Sequence, residues 1–341
     1  MRKVLLASSA LVAVAGVSAA SADVTINVWQ EFGFSSVSDN TSADRDSMYN
    51  DGEMTFSFSN TSDSGLTYSA SIEMEVNAGQ TDMDEASMSL STAEMGTITL
   101  GQNDDVTSTF ATYLPGGRNM ATGDDWAAAA NNADGDAVGD GLKTSATGAS
   151  YGDSNKVAYR SPNFGGLQFG MSYSMLDTSE AQGGGDTGDN ADTTMGVRFS
   201  TELAGASVSI QGATSDNGED GADKSQTDSY GVNVSMGALS LGASMSSFQS
   251  GTSAAGDDVD SVGYGIGYTV SDQVSVAVNM VSSEDDQSDN SLDTTSLSLS
   301  YTIAPGLNFA VAMNQYEYDN NADNNLDMDS DEIRASIQAN F

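Results

Sequence analysis

Apolar and polar residues alternate one by one through most of the chain after Asp23, as in the stretch Leu297-Ser298-Leu299-Ser300. A period of two is typical of β-strands, because successive side chains point to opposite faces of a sheet. The pattern predicts strands that each have one apolar and one polar face. Counted in this way, the chain contains 16 strands, near residues 24–34, 52–60, 66–76, 85–91, 97–102, 154–160, 167–176, 192–200, 206–213, 228–236, 239–248, 259–270, 273–281, 293–303, 307–317 and 332–341.

The connectors between these strands alternate in length. Seven are short, and the eight between them are mostly longer and acidic. Bacterial outer-membrane barrels combine an even number of antiparallel strands with short turns on one side and long loops on the other. The sequence therefore predicts an all-β fold, a transmembrane antiparallel β-barrel of about 16 strands over residues 23–341.

The end of the chain favours this barrel over a soluble β-sandwich. A sandwich would also alternate, but it would not need short and long connectors in strict order. The last strand places Ile333, Ala335, Ile337 and Ala339 on one face, and Phe341 ends the chain. A terminal Phe resembles the insertion signal of outer-membrane proteins, so we expect Phe341 to be recognised by the outer-membrane assembly machinery.

Residues 1–22 have the features of a secretory signal peptide. Arg2 and Lys3 form a basic start, an apolar stretch follows, and Ala20-Ser21-Ala22 supplies small residues before the cleavage point. The apolar stretch is too short for a membrane-spanning helix, which needs about 20 residues. We expect export, and a mature chain that begins at Asp23.

Composition narrows the possible functions. The chain has no Cys and no His, so it lacks a disulfide framework, the usual zinc ligands and the usual general base near neutral pH. Its net charge of −39 repels nucleic acid and attracts cations. A disordered acidic chain would have a similar charge, but it would not alternate regularly. No pair of carboxylates stands out as catalytic, and we expect no enzyme.

One segment resembles a known family. Tyr159-Arg160-Ser161-Pro162-Asn163-Phe164-Gly165-Gly166-Leu167 resembles the turn after the sixth strand of Gram-negative general porins, especially those of alphaproteobacteria. The stretch Gly96-Thr97-Ile98-Thr99-Leu100-Gly101-Gln102 resembles the strand before their third loop, and Phe341 matches their last residue. The resemblance extends over residues 23–341.

The resemblance implies a homotrimer in the outer membrane of a Gram-negative bacterium, in contact with lipid and lipopolysaccharide. Each barrel would pass small hydrophilic solutes by diffusion, narrowed by a long third loop folded into the lumen, here residues 103–153. Such porins usually face an acidic third loop with a cluster of arginines on the wall. Basic residues number only ten in this chain, two of them in the predicted leader.

Strand parity predicts which charged residues face the lumen. A charge on the lipid face at mid-depth costs about 2–4 kcal/mol, so charges belong on the polar face of each strand. This rule assigns seven charged residues to the lumen wall, namely Glu53, Glu73, Glu75, Lys156, Arg160, Arg198 and Arg334.

The third loop supplies the candidate constriction. Asp104 and Asp105 follow the fifth strand directly, and Asp124 and Asp125 lie further along, with Arg118 as a candidate tether to a wall carboxylate. Clusters of carboxylates select cations in channels. The alternative is that these residues are solvated charges outside the lumen.

The other acidic loops are candidates for weak calcium or magnesium binding. The pairs Asp216 and Asp220, and Asp319 and Asp323, have spacings seen among calcium ligands, but both stretches lack the Glu expected at position twelve of the loop. Solvated loop charge is the alternative. No other cofactor is expected.

Three functions remain open at this stage. The first is a passive porin for small solutes and ions that prefers cations. The second is a substrate-selective porin with a binding track, although the polar face offers no aromatic ladder. The third is a surface barrel without a channel, such as an adhesin or a structural protein.

Overall fold

The computed structural model describes residues 23–39, 45–77, 80–116, 142–147, 154–174, 192–216, 225–250, 258–321 and 327–341. Within these ranges, the fold is an antiparallel barrel of 16 strands with one short helix. Among the described residues, no helix is long and apolar enough to cross a membrane. The strands are β1 (Asp23–Asp39), β2 (Arg45–Thr61), β3 (Thr67–Asn77), β4 (Gln80–Thr92), β5 (Gly96–Gln102), β6 (Asn155–Arg160), β7 (Leu167–Ser174), β8 (Thr193–Leu203), β9 (Ala206–Asp216), β10 (Ser225–Met236), β11 (Leu239–Ser250), β12 (Asp258–Ser271), β13 (Val274–Asp285), β14 (Asn290–Ala304), β15 (Leu307–Asp319) and β16 (Met328–Asn340), and the helix is α1 (Val106–Phe110).

The sheet closes between its first and last strands. Each strand pairs with its neighbours in sequence, and β1 also pairs with β16, with Phe34 opposite Ala335. The backbone of Phe341 completes the seam, since its N–H donates to Val28 O (2.8 Å) and its carbonyl accepts from Val28 N (3.2 Å). Closure leaves no unpaired sheet edge, which is the condition for strands to span lipid. The predicted strand number and barrel are confirmed.

Alternation along the strands separates an apolar outer face from a polar inner face. On β14, Leu297 is 49% exposed on the outer face, whereas Ser296 and Ser298 are buried on the inner face. Aromatic rings such as Tyr301, near the short turns, and Tyr264, further from them, stand exposed on the outer face. This arrangement matches a lipid-facing belt with aromatic residues toward both borders.

The short turns lie at one end of the barrel, together with Asp23 and Phe341. In the two-residue turn after β8, Ala204 and Gly205 have φ values of 53° and 83°. Positive φ at both positions is the type I′ geometry, whose twist matches that of a hairpin. We call this the short-turn end and the opposite one the long-loop end.

Several strands extend further toward the long-loop end than predicted. β2 begins at Arg45 instead of near residue 52, and β4 begins at Gln80 instead of near residue 85. Beyond the apolar belt the outer face becomes acidic, as in the exposed row Asp293, Glu317 and Asp329, which lie directly opposite one another on β14, β15 and β16. On the added part of β2, most residues of both faces are polar, so the alternation that revealed the strands disappears.

A buried apolar cluster lies on the inner face near the long-loop end. It joins Leu142 of the third loop to wall residues from five strands, with Phe248 packed against it: Val37, Val259, Leu292, Tyr316, Tyr318 and Met328. Leu142 is only 3% exposed. We call these residues the mouth cluster. The cluster was not predicted, because strand parity implies that inner-face residues are polar and line a water-filled lumen.

The two faces predict opposite responses to one substitution on β14. Leu297→Lys places a charge in the lipid belt and should lower the free energy of unfolding by about 2–4 kcal/mol. The matched control, Ser300→Lys, places the same charge on the partly exposed inner face and should change it by less than about 1 kcal/mol. Denaturant titration in lipid bilayers measures both values. Equal losses would contradict the assignment of the faces.

Candidate functional site

The third loop enters the barrel directly after β5. Residues 106–116, called the inner leg, begin with α1, which contacts β6, β7, β8 and β9. Phe110 is fully buried in a second apolar cluster with Val106, Ala158 and Ala213. The predicted fold, with the third loop inside the lumen, is thus confirmed for the described part of the loop.

Asp105 caps the helix that opens the inner leg. Its carboxylate accepts hydrogen bonds from the backbone N–H of Thr107 (2.7 Å) and from the Thr107 hydroxyl. Such capping satisfies a helix N–H that would otherwise lack a partner. Asp105 is 3% exposed, so its carboxylate serves the local fold of the loop.

Polar side chains of the wall hold the inner leg in place. Arg198 donates to Thr109 O (3.4 Å) and to Gln168 Oε1 (2.9 Å), and its guanidinium lies 5.7 Å from the Phe110 ring centroid. Gln211 donates to the carbonyl of Ala111. Arg198 thus lies on the inner face, as predicted, and it is engaged with the loop.

The third loop touches the wall again before it returns to β6. Leu142 packs in the mouth cluster, and the next backbone N–H, that of Lys143, donates to Ser283 Oγ (3.0 Å). Thr144 and Ala146 are 1% exposed. The loop is therefore fixed to the inner wall by apolar and polar contacts at both ends of its described length.

Carboxylates cover the inner face of β1, β2 and β3. Glu31 lies opposite Asp51, and Glu53 lies opposite Glu75, with Glu73 two residues away on the same face. Thr55 donates to Glu53 Oε1 (2.8 Å). We call these five residues the acidic wall. Adjacent like charges repel one another, so the five carboxylates together make the local electrostatic potential more negative.

A second group of inner-face residues surrounds Glu332 on β16. Its carboxylate accepts hydrogen bonds from Ser35 (2.7 Å), Asn314 (3.1 Å) and Tyr316 (3.0 Å). Arg334 Nε lies 3.7 Å from Glu332 Oε1, and the guanidinium stands over the Tyr49 ring at 5.3 Å. Arg334 faces inward as predicted, but its charge is offset by a neighbouring carboxylate.

The two remaining predicted wall cations lie on β6. Lys156 is 5% exposed and lies near the start of the strand, whereas Arg160 is exposed at the short-turn end. Both occupy the same face as Ala158, which packs against α1. Their position on the inner face agrees with strand parity.

Asp104, just before the inner leg, and Tyr113, within it, have exposed polar side chains. Tyr113 is 61% exposed, and Asp104 donates its backbone N–H to Glu85 Oε1 (2.8 Å). Partial burial raises the pKa of the Tyr113 phenol above its ordinary value of 10.0, and the carboxylates of Asp104 and Asp105 raise it further. Tyr113 therefore remains neutral at physiological pH.

Some predicted site residues lie outside the described part of the chain. These are Arg118, Asp124, Asp125, Asp220 and Asp323. Asp216 ends β9 and Asp319 ends β15. Within the described ranges, no group of three or more Asp, Glu, His or Cys side chains could hold a metal ion. Calcium binding by the two loops remains a prediction.

Sequence reasoning did not single out Glu31, Glu332 or Phe110. Strand parity places the first two on the inner face, so extending the same rule to every acidic residue would have found them. Phe110 gave no comparable signal, because an isolated aromatic residue in a loop of mixed composition has no periodicity that reveals its partner.

The arrangement matches known proteins in both sequence and fold. A family model described as Gram-negative porin matches residues 7–321. The anion-selective porin from Comamonas acidovorans is 15% identical, with a TM-score of 0.64 over 94% of this chain and 100% of that one. OmpF of Salmonella typhi, solved with daunomycin, is 15% identical, with a TM-score of 0.65 over 93% of this chain and 97% of that one. The trimer form of OmpT from Vibrio cholerae is 9% identical, with a TM-score of 0.62 over 93% and 99%.

A search of curated proteins finds no match to this chain. At 9–15% identity, the likeness to the solved structures shows the fold alone. The charges inside the barrel must therefore be judged from this chain's own residues.

The raised pKa of Tyr113 can be tested by removing one carboxylate. Asp104→Asn should lower the pKa of Tyr113 toward the ordinary value of about 10, since the phenolate would meet less negative charge. The pKa is measured by phenolate absorbance, as the difference between each protein and its Tyr113→Phe counterpart. Glu202→Gln, on β8, is the matched control and should leave the pKa unchanged. A Tyr113 pKa below the ordinary value in the unaltered protein would contradict the proximity of these acids.

Proposed function

The chain belongs to the Gram-negative porin family, and on that premise we propose that this outer-membrane channel for small solutes prefers cations. The acidic wall carries the proposal. Carboxylates grouped around a narrow aqueous path attract cations and repel anions. Asp104, exposed just before the inner leg, adds to the same potential.

Three described arginines of the inner face lie on strands other than β1 to β3. Arg198 is engaged with the loop backbone and with Gln168, and Arg334 is paired with Glu332. Exposed Arg160 lies at the short-turn end. These arginines are spread over β6, β8 and β16 and do not form a cluster.

Fold and selectivity are separate properties in this family. The Comamonas porin is called anion-selective, and it shares the barrel with this chain at low identity. Because a barrel wall alternates inward and outward residues whatever their charge, the same fold can carry either sign in its lumen. The preference must come from the inner-face charges.

We also propose that the channel is a homotrimer, with β1 and β2 in the subunit interface. The outer face of these strands carries Gln30 and Asn50 among apolar residues such as Phe32 and Met54. An amide without a partner is costly in lipid. A neighbouring subunit would supply partners, and a trimer form is known for the similar Vibrio barrel.

Export and insertion complete the proposal. Cleavage after Ala22 would leave Asp23, the first residue of β1, at the short-turn end. The side chain of Phe341 is 80% exposed just beyond β16, where the assembly machinery could bind it during insertion.

The cation preference predicts the effect of neutralising the acidic wall. The triple variant Glu53→Gln, Glu73→Gln and Glu75→Gln should reduce the ratio of cation to anion permeability by about threefold, because three lumen charges are lost. Reversal potentials in planar bilayers under a KCl gradient measure this ratio.

The control for this experiment removes three charges from the outer face. Asp293→Asn, Glu317→Gln and Asp329→Asn lie in one row outside the lumen and should leave the ratio nearly unchanged, because salt screens charges beyond about 10 Å. Anion preference of the unaltered protein, or equal effects of the two triple variants, would refute the proposal. Absence of any conductance would instead favour a non-channel surface barrel.

The proposed interface predicts that the trimer dissociates more easily when the amide side chain of Gln30 is removed. Gln30→Leu should lower the temperature at which the trimer dissociates by several degrees, since hydrogen bonds between subunits disappear. Gel migration of unheated and heated samples measures this temperature. Thr295→Leu, a polar-to-apolar change on the outer face of β14, is the matched control and should have no effect. A monomeric unaltered protein would contradict the trimer.

A further inference from the structure

Glycines line the inner wall where the inner leg lies against it. They lie on β7, β8, β10, β11 and β12 and face the loop. We call them the glycine seat: Gly170, Gly196, Gly231, Gly242, Gly263, Gly265 and Gly267. Glycine weakens a strand and often marks the close approach of another backbone. We therefore ask why glycines occupy the wall positions that face the loop.

Phe110 occupies the first part of the seat. A Cβ atom on Gly196 would lie 2.4 Å from Phe110 Cδ2, and one on Gly170 would lie 2.7 Å from Phe110 Cε2. Carbon atoms that are not bonded to each other do not approach this closely. Phe110 is also fully buried. The ring consequently fits only because both wall positions lack a side chain.

Pro115 occupies the far part of the seat. A Cβ on Gly242 would lie 2.6 Å from Pro115 Cδ, and one on Gly265 would lie 2.9 Å from the same atom. Between the two parts, a Cβ on Gly231 would lie 2.5 Å from Thr112 Cβ. The inner leg thus lies against bare backbone over most of its length.

We propose that the glycine seat positions the third loop and thereby sets the bore of the channel. Each absent side chain lets the loop lie closer to the wall, which leaves more of the lumen open. A methyl group at Gly196 would push Phe110 inward by about 1 Å to reach an ordinary contact of 3.4 Å. This proposal requires only that the barrel conducts, and it is independent of the cation preference.

Alanine substitution in the seat tests the proposal. Gly196→Ala and Gly242→Ala should each lower single-channel conductance by roughly a tenth to a third, because the lumen beside the inner leg becomes narrower. Gly212→Ala is the matched control, since a Cβ there would meet the Tyr230 ring, which is exposed on the outer face, and its conductance should not change. Unchanged or higher conductance in both seat variants would overturn the proposal.

A compensating substitution separates loop displacement from general damage. Pro115→Ala removes the Cδ atom that a side chain at Gly242 would meet, and the next nearest atom, Asn233 Oδ1 at 2.9 Å, belongs to a flexible amide. The double variant Gly242→Ala with Pro115→Ala should recover most of the lost conductance. Failure to recover any would count against displacement of the loop.

A cross-link between the loop and the wall tests their proximity directly. The Cβ of Leu114 lies 3.1 Å from the Cβ position of Gly265, slightly nearer than the roughly 3.5–4.5 Å of a disulfide. The chain has no other Cys. Leu114→Cys with Gly265→Cys should oxidise to a disulfide, and conductance should be the same before and after oxidation. Absence of the cross-link, or a conductance that changes when it forms, would overturn the proposal.

Discussion

Closure of the sheet between β1 and β16 is the constraint on which the rest of the structure depends. Lipid offers no partners to backbone N–H and C=O groups, so every strand must pair on both sides. A closed sheet of alternating residues then has one face toward lipid and one toward its own interior. The apolar belt, the polar lumen and the exclusion of charge from that belt all follow from this closure.

The inner face performs two tasks with different residues. On β6 to β12, glycines and the side chains of Arg198 and Gln211 hold the third loop against the wall. On β1 to β3, carboxylates lie side by side across neighbouring strands. Elsewhere on the wall, Arg198 is engaged with the loop, Arg334 is paired with Glu332, and Arg160 is exposed at the short-turn end.

The sequence predicted the strands best where the membrane imposes a contrast between their faces. β14, with Leu297 outside and Ser298 inside, could be recognised from alternation alone. The segment of β2 from Arg45 to Asp51 could not be recognised in this way, because most residues on both of its faces are polar. The mouth cluster was not predicted for a different reason. Leu292 and Tyr316 have the parity of the inner face, but parity does not show whether an inner position contacts water or another side chain.

The sequence by itself determined the barrel, its strand number and its short turns, because a period of two is a local property of the chain. Only the tertiary structure decided the use of each charge. Asp105 caps α1, Arg198 holds the loop and Glu332 accepts three hydrogen bonds, whereas Glu53 and Glu75 face each other across β2 and β3. These roles depend on residues far apart in sequence that meet only when the barrel closes and the third loop lies inside it.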